Sequence, residues 1–145
     1  MSDVTTRHRD GGGWEKQAGY SRAVRRFGRI EVSGTTANAD DGSALHRGDT
    51  YGQTLVALER AIAAMEALGG RLEDVVRTRV YLAPGADWEA AARAHAETMG
   101  SVAPANTMLF VAALVGDGFL VEVELGAETR VDVDSSRAPS DAVPR

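Results

Sequence analysis

Hydrophobic and polar positions along the 145-residue chain change period several times, and each change marks an element. Val121, Val123 and Leu125 alternate with Glu122 and Glu124 at the two-residue period of a strand, so both carboxylates leave by one face. In residues 107–114, Leu109, Val111 and Ala113 fall on one side and Met108, Phe110 and Ala112 on the other. A strand apolar on both faces is one that other elements sandwich. Val115-Gly116-Asp117-Gly118 then reads as the turn joining these two strands in a hairpin. Upstream, Val76, Thr78, Val80 and Leu82 alternate with Arg77, Arg79 and Tyr81, a strand over residues 75–82 that Ala83-Pro84-Gly85 breaks. Tyr51, Leu55, Leu58, Ile62 and Met65 recur every three or four residues. That period predicts a long helix, capped by Asp49 or Thr50 and ended by Gly69-Gly70. Asp87 opens a second, alanine-rich helix to about Met99. Residues 20–25 and 30–35 predict two short strands around Arg26-Phe27-Gly28-Arg29, and residues 37–48, rich in Asp, Gly, Ser and Asn, predict a loop.

The order strand, strand, helix, strand, helix, strand, strand predicts an α+β fold with two helices packed on one face of a sheet. Residues 1–17 and 129–145 are polar, glycine- or proline-bearing and without hydrophobic period, and are expected to be flexible tails around one domain at 18–128. With 43% hydrophobic residues the chain is long enough to bury a core of its own.

Charge and composition narrow the chemistry. Against 16 basic residues stand 21 acidic ones, so the chain has no global attraction to phosphate backbones, and nucleic acid is not an expected partner. Zero cysteines excludes disulfides, thiolate nucleophiles and cysteine-ligated zinc. His8, His46 and His95 are far apart with no paired ligand spacing, so no metal is expected, and no phosphate-binding loop, dinucleotide fingerprint or nucleophile elbow implies a cofactor. No apolar run approaches the roughly 18–20 residues that span a bilayer. No membrane contact and a cytoplasmic location are the expectations.

Pro104-Ala105-Asn106-Thr107, a hydrophobic strand, a Gly/Asp turn and Val121-Glu122-Val123-Glu124 resemble the closing signature of the RidA (YjgF) family, whose best-known members hydrolyse reactive enamines and imines. Gly19-Tyr20-Ser21, Val32-Ser33-Gly34 and Asp74-Val75-Val76-Arg77-Thr78-Arg79-Val80-Tyr81-Leu82 fit the same pattern in the same order. The resemblance implies a chorismate-mutase-like sandwich with a mixed sheet, a homotrimer around a central barrel, and ligand clefts between subunits. It also exposes a departure: where the family's deaminases carry an arginine that grips a substrate carboxylate, this chain has Asn106.

By the same resemblance, Glu122 is the acidic residue that orients the attacking water, Tyr20 lines the cleft, Ser33 and Gly34 form its floor, and Thr107 and Met108 flank it. From the residues alone, Glu122 and Glu124 also fit a solvated strand face, Tyr20 a packing residue, and Ser33-Gly34 a sheet bend. Arg79 is a candidate substitute for the missing cation, set against a reading in which Arg77 and Arg79 are interface ion pairs or solvated ends; Arg22 is a second, set against an exposed arginine near a strand start. His95 fits a packing histidine better than a base. Two functions follow: a diverged imine hydrolase acting on a small reactive enamine or imine, or a non-catalytic small-molecule binding or interaction protein that keeps the cleft without turnover.

Overall fold

In the computed structural model, which describes residues 4–130, the chain order is β1 (Thr5–His8), α1 (Gly13–Ala18), β2 (Ala23–Arg26), β3 (Arg29–Thr35), α2 (Thr50–Glu66), β4 (Val75–Leu82), α3 (Trp88–Met99), β5 (Ala105–Phe110) and β6 (Val121–Glu128). Both long helices start on an aspartate: Asp49 accepts from the Gly52 N–H and Asp87 from the Ala90 N–H. The strands form one mixed sheet in the order β1-β2-β3-β6-β4-β5. β6 runs antiparallel to both of its neighbours, β3 and β4, while β4 and β5 are parallel.

The closing hairpin is therefore a correction. β5 and β6 do not pair; β6 is inserted between β3 and β4, and β5 lies at the far edge. Strand, helix and strand in succession form a crossover unit, which returns the third element parallel to the first. β4, α3 and β5 obey that rule, and residues 111–120 carry the chain back over the sheet to the central slot. There Val121, Val123 and Leu125 are at most 2% exposed, each burial contributing roughly 1.5–3 kcal/mol.

Helices α2 and α3 cover the face to which those three residues point. The buried stripe of α2 is Ala57, Leu58, Ala61, Ala64 and Met65, while Tyr51, Leu55 and Ile62 lie at its margins. The three alanines let the helix approach the sheet closely. Gln53, fully buried in the same helix, holds both long loops: its Nε2 donates to Leu45 O and Gly118 O, and its Oε1 accepts from the Leu120 N–H. In β4 a register shift between Val75 and Arg77 buries Val75 and leaves Val76 47% exposed, so Val76 departs from the expected alternation with Thr78, Val80 and Leu82.

The expected N-terminal tail is a second correction. β1 extends the sheet by pairing with β2, and Glu15, 6% exposed, accepts hydrogen bonds from the N–H groups of Asp10, Gly11 and Arg22. Backbone ladders and a carboxylate hold this segment, so it has no hydrophobic period to read. At the other end the Thr129 N–H donates to Gly28 O. The tail expected beyond that point lies outside the described residues from position 131.

Candidate active site

Because Val121, Val123 and Leu125 face the helices, Glu122 and Glu124 leave by the helix-free face, Glu122 across from Tyr81 and Glu124 across from Arg79. The two carboxylates differ. Glu124 accepts from Tyr81 Oη at 3.0 Å and pairs with Arg79 Nη1 at 3.7 Å. Among the described residues no hydrogen bond or ion pair reaches Glu122. Burial first, and the Glu124 charge second, push its carboxyl above the ordinary glutamate range, opposed by Arg22. It is the desolvated, unengaged member of the pair.

Local backbone makes room for it. β3 is irregular between Val32 and Thr35, where its pairing with β6 shifts register. Gly34 sits in that stretch, and a Cβ there would fall 2.2 Å from Glu122 Oε1. Only a glycine lets the carboxylate lie against this main chain. Arg22 ties the same point from the other side, donating from Nη2 to Gly34 O at 2.8 Å, with its guanidinium 5.3 Å from the Tyr20 ring centroid. Ser33 Oγ donates to Ser21 O at 2.7 Å and so pins the loop that carries Tyr20 and Arg22. Residues 20–22 precede β2 rather than belonging to it. Tyr20, Arg22, Ser33, Gly34 and Glu122 thus form one neighbourhood. Arg79 shares the sheet face of Glu122 but is held by Glu124.

Asn106 lies elsewhere. It is in register with Thr78, a fully buried residue of the helix-covered face, and its Nδ2 donates to Thr78 Oγ1 at 3.1 Å. Thr78 Oγ1 is in turn 2.7 Å from His95 Nε2. Burial holds the His95 imidazole below its ordinary pKa, so the ring is neutral at neutral pH. Asn106 and Met108 line a cavity of about 450 Å3 with Leu82, Trp88, Ala92 and Phe110. Thr107 turns to the helix-free face and accepts from Arg77 Nη2 at 2.7 Å. Thr107 and Met108 therefore open on opposite faces of the sheet, as consecutive strand residues must. Trp88 had no signal of its own, since an aromatic residue at the start of an alanine-rich helix does not announce a groove.

Among the described residues no group of three or more His, Cys, Asp or Glu side chains is placed to hold a metal ion, and no helix is long and apolar enough to cross a membrane. A family model described as Endoribonuclease L-PSP matches residues 14–129. The chain belongs to the RidA (YjgF) family. It is 40% identical over 126 residues to the uncharacterized protein SCO2049 of Streptomyces coelicolor, covering 87% of this chain and 93% of that protein. It is 30% identical over 105 residues to the RutC family protein PH0854 of Pyrococcus horikoshii, covering 72% and 82%. The fold is similar to that of Rv2704 from Mycobacterium tuberculosis, a member of the YjgF/YER057c/UK114 family, with a TM-score of 0.77 and 36% identity over 87% of this chain and 100% of that one. The α+β sandwich expected from the sequence is thus the RidA fold.

Proposed function

We propose that this RidA-family chain hydrolyses a small reactive enamine or imine in a cleft between protomers of a homotrimer, with Glu122 orienting the attacking water. One observation carries the reading: Glu122 is a partly buried carboxylate, without a protein partner among the described residues, whose pKa is raised toward neutrality beside an open backbone at Gly34. A carboxylate in that state suits a general base. Water adds to the imine carbon as Glu122 takes one of its protons and passes it to nitrogen, giving a carbinolamine; Glu122 then moves the remaining hydroxyl proton to the same nitrogen as the C=O bond forms and the C–N bond breaks, and the products are a carbonyl compound and ammonia.

Geometry supports a site shared between protomers. Glu122 and Asn106 leave opposite faces of one sheet, so one small ligand touches both only if they come from different subunits. β5 offers a surface for this, as an edge strand with Leu109 42% and Phe110 53% exposed. RNA stands outside this reading because the chain carries a net charge of −5. A cytoplasmic location fits substrates that arise in metabolism.

A second reading, a binding protein without turnover, is favoured because no charged side chain is among the described residues that line the cavity with Asn106. Ammonia and carbonyl release from enzymatically generated imines separates the two. Release above the uncatalysed rate supports the hydrolase; none from any imine, with ligand still bound, supports the binder.

A further inference from the structure

The groove between α3 and β5 is apolar except at one point. Leu82, Trp88, Met108 and Phe110 make its walls, and no charged side chain is among its described lining residues. The Asn106 amide nitrogen is engaged inward on Thr78, which leaves Oδ1 without a hydrogen bond from the described residues. Thr78 holds that amide because its own hydroxyl proton has somewhere to go. In the tautomer protonated on Nδ1, the neutral His95 ring accepts it at Nε2, which lies 2.7 Å from the hydroxyl oxygen. Asn106 donating to Thr78 and Thr78 to His95 make a directed relay that decides which way the amide faces.

We infer that this groove takes an uncharged, apolar ligand group ending in a hydrogen-bond donor, received by Asn106 Oδ1, with Thr78 and His95 as positioning residues. The inference rests on the cleft proposed above and names its substrate class. An ionised carboxylate offers acceptors only; it would meet the amide oxygen and find no cation among the described residues lining the groove. An N–H or O–H group meets its complement instead. Trp88 and Phe110, each 53% exposed in the single chain, add flat apolar walls suited to a planar side chain in a cleft that the neighbouring protomer closes.

Three probes of one shape test this: phenylacetamide, which donates, methyl phenylacetate, which only accepts, and phenylacetate, which is charged. The chain has two tryptophans, so Trp14→Phe leaves Trp88 as the sole fluorescent reporter of the groove. Phenylacetamide should bind about 10-fold more tightly than the ester, as expected for one satisfied hydrogen bond, and phenylacetate most weakly. Thr78→Val and His95→Phe should each bring the amide and ester affinities together while leaving the ester's unchanged, a split that loss of packing would not produce. If Thr78→Val does not fold, His95→Phe carries the comparison alone.

Phenylacetate binding as tightly as phenylacetamide, an amide preference that survives His95→Phe, or a Trp88 signal that no probe moves would each overturn the inference. Only binding is read here, so the subsite and the hydrolase fail separately. Amide selectivity without imine turnover sinks the hydrolase and keeps the subsite. Turnover that prefers carboxylate-bearing imines does the reverse.

Discussion

A Cβ on Gly34 would fall 2.2 Å from Oε1 of Glu122 and 3.0 Å from its Cδ. Gly34 needs no unusual backbone angle, since it is not among the residues with positive φ, so space alone demands the glycine. Gly34→Ala should therefore fold and assemble as the parent does while displacing the carboxylate. Imine turnover is expected to fall at least about 10-fold, with displacements near 1 Å known to cost more. Unchanged turnover in a folded Gly34→Ala protein would show that the contact has no part in the chemistry.

The raised pKa of Glu122 has a stability counterpart. Folding favours the protonated form, so this stabilisation is fully present below the ordinary glutamate pKa and is lost as pH rises through the higher folded value. At pH 7 the ionised carboxylate is a net cost to folding. Glu122→Gln should therefore melt above the parent at pH 7, and the difference should shrink toward zero at about pH 4. A variant that melts below the parent at neutral pH would mean that the carboxylate is engaged rather than free.

Assembly tests the shared cleft independently of catalysis. Leu109 and Phe110 on the β5 edge are 42% and 53% exposed in the single chain, so a homotrimer should bury them. Light scattering at micromolar concentration should give three chains per particle, and Phe110→Glu should shift the distribution toward smaller species. A monodisperse monomer from the parent chain would rule out an intersubunit site.

Gln53 holds two loops that flank the sheet, through hydrogen bonds to Leu45 O, Gly118 O and the Leu120 N–H. Gln53→Leu keeps the apolar volume but strands those groups inside the protein. Urea unfolding should show a loss of about 2–4 kcal/mol. A loss under about 0.5 kcal/mol would mean that the loops are held elsewhere.

Periodicity carried much of this fold. Val121, Val123, Leu125, Val80 and Leu82 showed which side of their strands is buried, and Asp49 and Asp87 showed where both helices begin. Strand partners were less legible: alternation says which face a strand buries but not which neighbour it takes, and β6 lies between β3 and β4 rather than beside β5. Segments held by polar contacts were illegible, as Glu15 shows by anchoring the N-terminal region with three backbone hydrogen bonds. The candidate site was legible as residues rather than as a place. The RidA signature named Glu122, Gly34 and Asn106, but only the register shows Asn106 on the helix-covered face with Thr78 and Glu122 on the other. Arg79 shows the same limit: the sequence left it between a substitute cation for the ligand and an ion pair, and only the pairing across the sheet gives it to Glu124.

The most direct measurement compares hydrolysis of an uncharged aromatic imine by the parent protein and by Glu122→Gln, following ammonia release at several substrate concentrations. Glutamine keeps the size of the side chain and removes the base, so kcat should fall roughly 100-fold while the affinity of the groove for phenylacetamide is unchanged. The imine from serine dehydration, which carries a carboxylate, should be a much poorer substrate than the uncharged one, and Asn106→Arg should improve it. Equal kcat for the parent and Glu122→Gln would contradict the assignment of Glu122 as the water-orienting base.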